Sequence, residues 1–397
     1  MSSENQFIVA TPGRSVCDDN ARALFHAHAL RFIALGTRRG TAGVPPSHTR
    51  LFPTVGLLAY AGAALLDSFR AEVFRCSLLP LFDRWVRKKL KPGDHLISSY
   101  GYANESFKWV REHGGKTFVD AGNSHPEHYW KIVSEEHARW NCALPPFPRN
   151  WYQRAIEMMP LVDYVLSPSS YVTRTFLDRG FKPAQILRNI YPLNLEYFTP
   201  PSAPRPDDRP LTIISTGAPS LRKGAPYLLE AYEIILRRHR TARLLLTGPP
   251  HASLDFVMSR FRHLPIEWGP SLPHVQLAER LRGADIFVLP SLEDGFARTV
   301  TEAMACGLPV ILTPNTGAAD LVQPGVSGEI VPIRDAQAIA AAIIKWADRI
   351  MAPGSQVHVR FDARAVAFET FEREFLAQLA SLGLLSKTAQ ENAAARS

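Results

Sequence analysis

Apolar residues recur along this chain in two alternating rhythms. Short runs of aliphatic and β-branched residues (Leu211–Ser215, Arg243–Thr247, Ile286–Pro290, Pro309–Thr313 and Glu329–Ile333) are separated by stretches of helical period. Tyr227–Arg240 sets Leu228, Leu229, Ala231, Tyr232, Ile235 and Leu236 on one broad face and closes on basic residues, as suits a helix C-terminus. Strand, helix, strand at spacings of roughly 20–30 residues predicts β-α-β units and a parallel sheet. Ligands of such sheets bind in loops beyond the carboxyl ends of the strands. The first half repeats the pattern less cleanly, with strands expected at Gln6–Ala10, Leu30–Leu35, His95–Ser99, Thr117–Asp120 and Asp163–Ser167. Between Gly40 and Lys91 the pattern is mostly helical and irregular.

A length of 397 residues favours two domains. Pro200–Pro210 holds five prolines and no periodicity, which reads as a linker. The expected division is a first α/β domain over 1–200, a linker over 201–210 and a second domain over 211–355. A helix within 356–385 returns to the first domain, and a polar tail, 386–397, frays.

Composition is that of a globular chain, 46% hydrophobic and 21% charged, which excludes a collagen, a coiled-coil rod and a wholly disordered protein. The net charge of +8 suits nucleic acid, phosphorylated ligands or an anionic membrane. Four scattered cysteines form no Cys-x-x-Cys pair, and the N-terminus lacks a signal-peptide pattern, so a cytoplasmic setting is expected. The longest apolar run, Val55–Leu66, is too short to span a bilayer and reads as a core helix.

The strongest chemical signal runs from Ile286 to Leu312. A buried strand ends in Ser291-Leu-Glu-Asp-Gly-Phe296, and a helix beginning near Thr299 carries Glu302-Ala-Met-Ala-Cys-Gly307. Free N–H groups from about Ala297 to Val300 would favour a diphosphate, beside the turn of Gly295 and Phe296. Asp294 and Glu302 make sense as acceptors for hydroxyls, one set on a sugar and one on a ribose. A second loop, Ser215-Thr-Gly-Ala-Pro-Ser-Leu-Arg-Lys-Gly224, follows a strand and leads into a helix. Its adjacent cations, Arg222 and Lys223, suit a departing diphosphate.

These stretches resemble the signature of retaining glycosyltransferases of family 4, the group 1 transferases with the GT-B fold, E-G-F-G-x-x-x-x-E-A-M-A-x-G-x-P-V. Asp294 matches the first Glu; Gly295, Phe296, Glu302, Ala303, Met304, Ala305, Gly307, Pro309 and Val310 stand in register; Ala297 replaces the second Gly. Lys223 matches the family's diphosphate-gripping Lys, whereas the Arg position holds Ala218, and Arg222 is expected to substitute from another direction. The resemblance further implies a nucleobase against Trp268 and Gly269, a donor-side glycine loop at Gly13 within Ala10–Arg14, and a histidine facing the sugar at His125, with His128 behind it. It is close over 211–333 and scattered over 1–200.

The resemblance implies two Rossmann-like parallel-sheet domains facing across a cleft, the nucleotide held mainly by the second. It implies transfer of a hexosyl group from a nucleotide diphosphosugar to a hydroxyl acceptor with retention, with no cofactor and no metal. A lipid-linked acceptor in envelope glycan synthesis is a family-level expectation. The run Arg84–Lys91 sets Trp85, Val86 and Leu90 among five cations, as a membrane-surface helix would, or as an ordinary solvated helix face would. No nucleic-acid motif accompanies the charge. Two rivals stand beside this reading: a catalytically weak sugar-nucleotide-binding subunit, and a GT-B epimerase or phosphorylase.

Overall fold

The structure, a computed structural model, describes residues 6–13, 17–37, 43–54, 56–58, 74, 76–144, 146–194, 196–355, 357, 359–386 and 389. Two all-parallel sheets organise it. The first contains β1 (Phe7–Thr11), β2 (Leu30–Leu35), β3 (Thr49–Leu51), β4 (His95–Ser99), β5 (Thr117–Asp120), β6 (Tyr164–Ser167) and β7 (Ile186–Arg188), in the order β3-β2-β1-β4-β5-β6-β7. The second contains β8 (Thr212–Thr216), β9 (Arg243–Thr247), β10 (Ile266–Gly269), β11 (Ile286–Leu289), β12 (Val310–Leu312) and β13 (Gly328–Ile330), in the order β10-β9-β8-β11-β12-β13. Their central strands are almost wholly buried, and β1 is the most apolar of them: Phe7, Ile8, Val9 and Ala10 have no exposed surface.

Strand order reverses between β1 and β4 in one sheet and between β8 and β11 in the other. Adjacent loops diverge to opposite faces at such points and leave a crevice beyond the strand ends. The first domain carries α1 (Cys17–His26), α2 (Leu79–Arg87), α3 (Asn104–Glu112), α4 (Pro126–Arg139), α5 (Pro146–Met158) and α6 (Ser170–Leu177). The second carries α7 (Ala225–Arg238), α8 (His274–Arg282), α9 (Arg298–Ala305) and α10 (Ala336–Ile350). A last helix, α11 (Phe368–Ser381), lies on the first domain: Phe371, Phe375, Leu376 and Leu379 join the core of Phe7, Val9, Leu24 and Leu30.

The linker is fastened to the second domain, where Arg205 and Arg209 both pair with the buried carboxylate of Asp285. Of the basic run, Val86 and Leu90 point into the first-domain core and Trp85 stacks on Phe52 at 5.2 Å, so these apolar side chains are not offered to a lipid surface. Arg84, Arg87, Lys88 and Lys91 are exposed. Most of the expected helix Val55–Leu66 and of the expected tail lies outside the described residues. No described helix is long and apolar enough to cross a membrane.

Candidate functional site

The switch point of the second sheet gathers the cations and carboxylates singled out above. The loop after β8 bends back at Gly224, whose φ is +69°; a Cβ there would lie 2.0 Å from the carbonyl oxygen of Pro290, so glycine lets this loop touch the one after β11. Leu292 N–H then donates to Arg222 O at 2.8 Å. Lys223 Nζ bonds the Asp294 carboxylate. Arg222 Nη1 donates to the Glu293 backbone oxygen at 2.7 Å and to its Oε2 at 3.0 Å. Burial alone would raise the Asp294 pKa, yet the charges of Lys223 and Arg222 hold it below the usual carboxylate range. Burial likewise opposes the charge on Arg222, and Glu293, Tyr129 and Asp294 together more than offset it.

The turn Gly295–Ala297 opens α9. Val300 N–H already bonds Ala297 O at 2.9 Å, so of the expected anion-facing donors those of Ala297, Arg298 and Thr299 are left. Ala297 itself sits at φ 60°, a left-handed conformation costly for any residue with a Cβ. One turn into the helix Glu302 is buried, its Oε2 has no hydrogen-bond partner, and burial pushes its carboxyl up to about 7 against the charge of Arg298.

The two domains meet over this turn. A Cβ on Gly295 would lie 2.2 Å from Gly122 O of the first domain. Ser169 Oγ donates to Gly295 O at 2.8 Å, Ser124 N–H to Glu293 Oε1 at 2.8 Å, and Arg298 Nη2 to Asp19 Oδ2 at 2.5 Å. Farther along α4, wholly buried Glu136 accepts from Trp140 Nε1 at 2.9 Å, and from Tyr227 Oη at 2.6 Å and Arg334 Nε at 2.7 Å of the second domain. At the end of β5, wholly buried Asp120 accepts from Tyr191 Oη at 2.9 Å through Oδ1 while Oδ2 lacks a partner, and burial pushes it up to about 7. Tyr191 in turn lies edge-on to Phe296 and beneath Arg298. Asp120 Oδ2 and Glu302 Oε2 are buried carboxylate oxygens without a hydrogen-bond partner among the described residues.

The structure thus brings together Arg222, Lys223, Asp294, Gly295, Phe296, Ala297, Thr299, Val300 and Glu302. It does not bring His125 there. His125 is the N-cap of α4: its Nδ1 accepts from Glu127 N–H at 3.2 Å, and its ring lies edge-on to Phe176 and Phe181. Burial lowers its pKa to about 4. His128 packs edge-on to Tyr171. Gly13 O accepts from Thr11 Oγ1 at 2.7 Å, and Arg14 lies outside the described residues. Trp268 and Gly269 sit on edge strand β10, separated from β11 by β9 and β8, and Trp268 is 41% exposed. Phe296 contributes as a core residue rather than a ligand contact, since it is buried against Tyr191. Sequence reasoning missed Glu293, Asp120, Glu136 and Arg298. For Glu293 a signal existed, an acidic residue directly beside Asp294 in the matched motif.

Two doubly wound parallel sheets with facing switch points define the GT-B class of glycosyltransferase folds, and solved structures of that class overlie nearly the whole chain. Sucrose-phosphate synthase from Thermosynechococcus elongatus superposes with a TM-score of 0.65 at 17% identity, covering 96% of this chain and 100% of that one. The Anabaena protein HepE, in complex with UDP and glucose, superposes at 0.59 with 13% identity over 95% and 100%. Residues 201–349 match the family described as glycosyl transferases group 1, the family whose motifs the sequence carries. WcaL of Salmonella typhimurium, named as a colanic acid biosynthesis glycosyltransferase, is 30% identical over 194 residues, 46% of this chain and 47% of that protein. The amylovoran biosynthesis glycosyltransferase AmsK of Erwinia amylovora is 39% identical over 79 residues, 18% and 19% respectively. The chain therefore matches about half, or less, of the length of these relatives.

Proposed function

We propose that this chain is a glycosyltransferase that moves a hexosyl group from a nucleotide diphosphosugar to a hydroxyl acceptor with retention of configuration. The observation that carries the reading is the pairing of Arg222 with Glu293 and of Lys223 with Asp294 at one switch point, with Glu302 buried in the helix that follows. Lys223, Arg222 and the N–H groups of Arg298 and Thr299 stabilise the departing diphosphate. Glu302 Oε2 accepts from the ribose, and Asp294 from the sugar. On the opposite wall Asp120 takes the sugar-facing place first assigned to His125, since its free oxygen is a hydroxyl acceptor. Asp294 is held by Lys223, and Glu293 by Arg222 and Ser124, so neither is a free nucleophile. A front-face substitution, in which the leaving phosphate takes the proton of the incoming hydroxyl, fits this arrangement and needs no metal.

A UDP-sugar is the first donor to test, because HepE is in complex with UDP and glucose. The likeness to WcaL and AmsK supports a role in polysaccharide biosynthesis. The acceptor of this reading is a glycan, lipid-linked and reached from the cytoplasmic face of a membrane. The exposed cations Arg84, Arg87, Lys88 and Lys91, beside exposed Leu81, supply electrostatic attraction to anionic lipid there. The test is a thermal-shift panel of UDP-, GDP- and ADP-sugars followed by product analysis. One nucleotide raises the melting temperature, and Glu302→Ala abolishes transfer or slow donor hydrolysis; stabilisation by none of them overturns the reading. Ala218, in place of the family's Arg, favours a second reading as a binding subunit, for which nucleotide binding without any turnover is the expected result.

A further inference from the structure

Resting on the donor-site reading above, we propose that Glu293 is a positioning residue that restores the second diphosphate cation lost at Ala218. Arg222 uses only Nη1 to hold Glu293, through both the backbone oxygen and the carboxylate. Its Nε and Nη2 make no hydrogen bond to described residues, and the side chain stays 26% exposed while that of Glu293 is wholly buried. A guanidinium fixed through Nη1 keeps its Nε and Nη2 edge for two oxygens of a phosphate group, and the lost rotamer freedom is spent before the ligand arrives. Lys223 lies on the neighbouring carboxylate Asp294 and supplies the first cation. The ring of Tyr129, from α4, lies 5.9 Å from the guanidinium and closes its far side.

The other carboxylate oxygen of Glu293 accepts from Ser124 N–H, which heads α4 in the first domain. The posture of the donor cation is therefore tied to contact between the domains. When they part at this point, Glu293 loses one of its two side-chain anchors, and the carboxylate that orients Arg222 is held by Arg222 alone. A glutamate at 293 thus does two jobs: it orients a substitute arginine, and it makes that orientation depend on closure.

A double-mutant cycle on nucleoside diphosphate affinity tests this, with UDP, GDP and ADP as probes in titration calorimetry. Arg222→Ala lowers the affinity of the preferred nucleotide about tenfold, and Glu293→Gln, which keeps shape but not charge, lowers it about fivefold. The double variant is no weaker than Arg222→Ala alone. The matching nucleoside without phosphates binds all variants equally, which a general collapse of the site would not allow. Additive losses, or tighter binding by Glu293→Gln, overturn the proposal, the latter because it would make the carboxylate a competitor of the diphosphate. If Glu293→Gln does not fold, Glu293→Asp enters the same cycle, with the same non-additivity required. Failure of the donor-site reading looks different: no probe binds the wild type, or Lys223→Ala leaves affinity unchanged.

Discussion

The hydroxyl of Tyr227, in the second domain, donates at 2.6 Å to the buried carboxylate of Glu136 in the first. Arg334 adds a charge-assisted bond at 2.7 Å from a backbone held at φ 61°. Removing Glu136 leaves this arginine with only the more exposed Glu135, at 3.5 Å, as counter-ion, and leaves Tyr227 and Trp140 without their acceptor. Glu136→Ala is expected to cost about 3–5 kcal/mol, and Glu136→Gln less, in urea unfolding. A loss below 1 kcal/mol for the alanine variant would show that the domains are held elsewhere.

Gly295→Ala places a methyl group 2.2 Å from Gly122 O, backbone against backbone. The loops then separate by an ångström or more. Turnover is expected to fall about 100-fold with far-UV circular dichroism unchanged, since a misplacement of that size in an active site costs about as much. Wild-type turnover in this variant would mean that the seam seen here is not the working geometry.

Ala297→Gly is expected to do the opposite to stability. Ala297 sits at φ 60°, where glycine carries no Cβ clash, so the variant gains about 1 kcal/mol. Thermal unfolding checks this directly, and a lower melting temperature would contradict it.

Glu302 and Asp120 are each pushed up to about 7, from 4.5 and 3.8, mainly by burial. For a carboxyl raised on folding, the folded state holds more protons between the two values. The stability it contributes is complete below the unfolded value and is lost as pH rises through about 7. For Glu302 the swing is at most about 3 kcal/mol. Relative to wild type, Glu302→Gln and Asp120→Asn therefore gain stability between pH 5 and pH 8. Denaturant melts at both pH values measure it, and a difference that does not change with pH removes the argument.

Lys223→Ala strips Asp294 of its partner and the leaving group of a cation. A fall in kcat/KM of about 100- to 1000-fold is expected with the preferred donor, comparable to losing one preorganised donor in other enzymes. Steady-state kinetics with the best nucleotide sugar from the panel decide it.

Legibility in the sequence followed locality. β4, β5 and β9 coincide with the segments that predict them, because each carries a short buried apolar centre, Leu96-Ile97, Phe118-Val119 and Leu244–Leu246. β3 and β7 are three-residue edge strands, and β10 exposes Glu267 and Trp268, so none of the three presents such a run. The switch-point turn of the second sheet was readable because Asp294 and Glu302 share one strand–turn–helix. The seam was not, since Ser124 and Glu293 stand 169 positions apart and Glu136 and Arg334 stand 198 apart. At Ala297 the sequence shows the replacement of the second Gly but not the φ of 60° that makes it costly. His125 lay in the right loop, but Pro126 starts α4 immediately after it, and a residue before such a proline becomes the cap.

The return of α11 to the first domain has a consequence for synthesis. Phe371, Phe375 and Leu379 complete a core that Phe7 and Val9 begin. On a ribosome the second domain, contiguous in the chain, is finished while the first still lacks a wall. The amino-terminal half of the molecule is thus the last to be sealed, and until then its open apolar face is what a chaperone would meet.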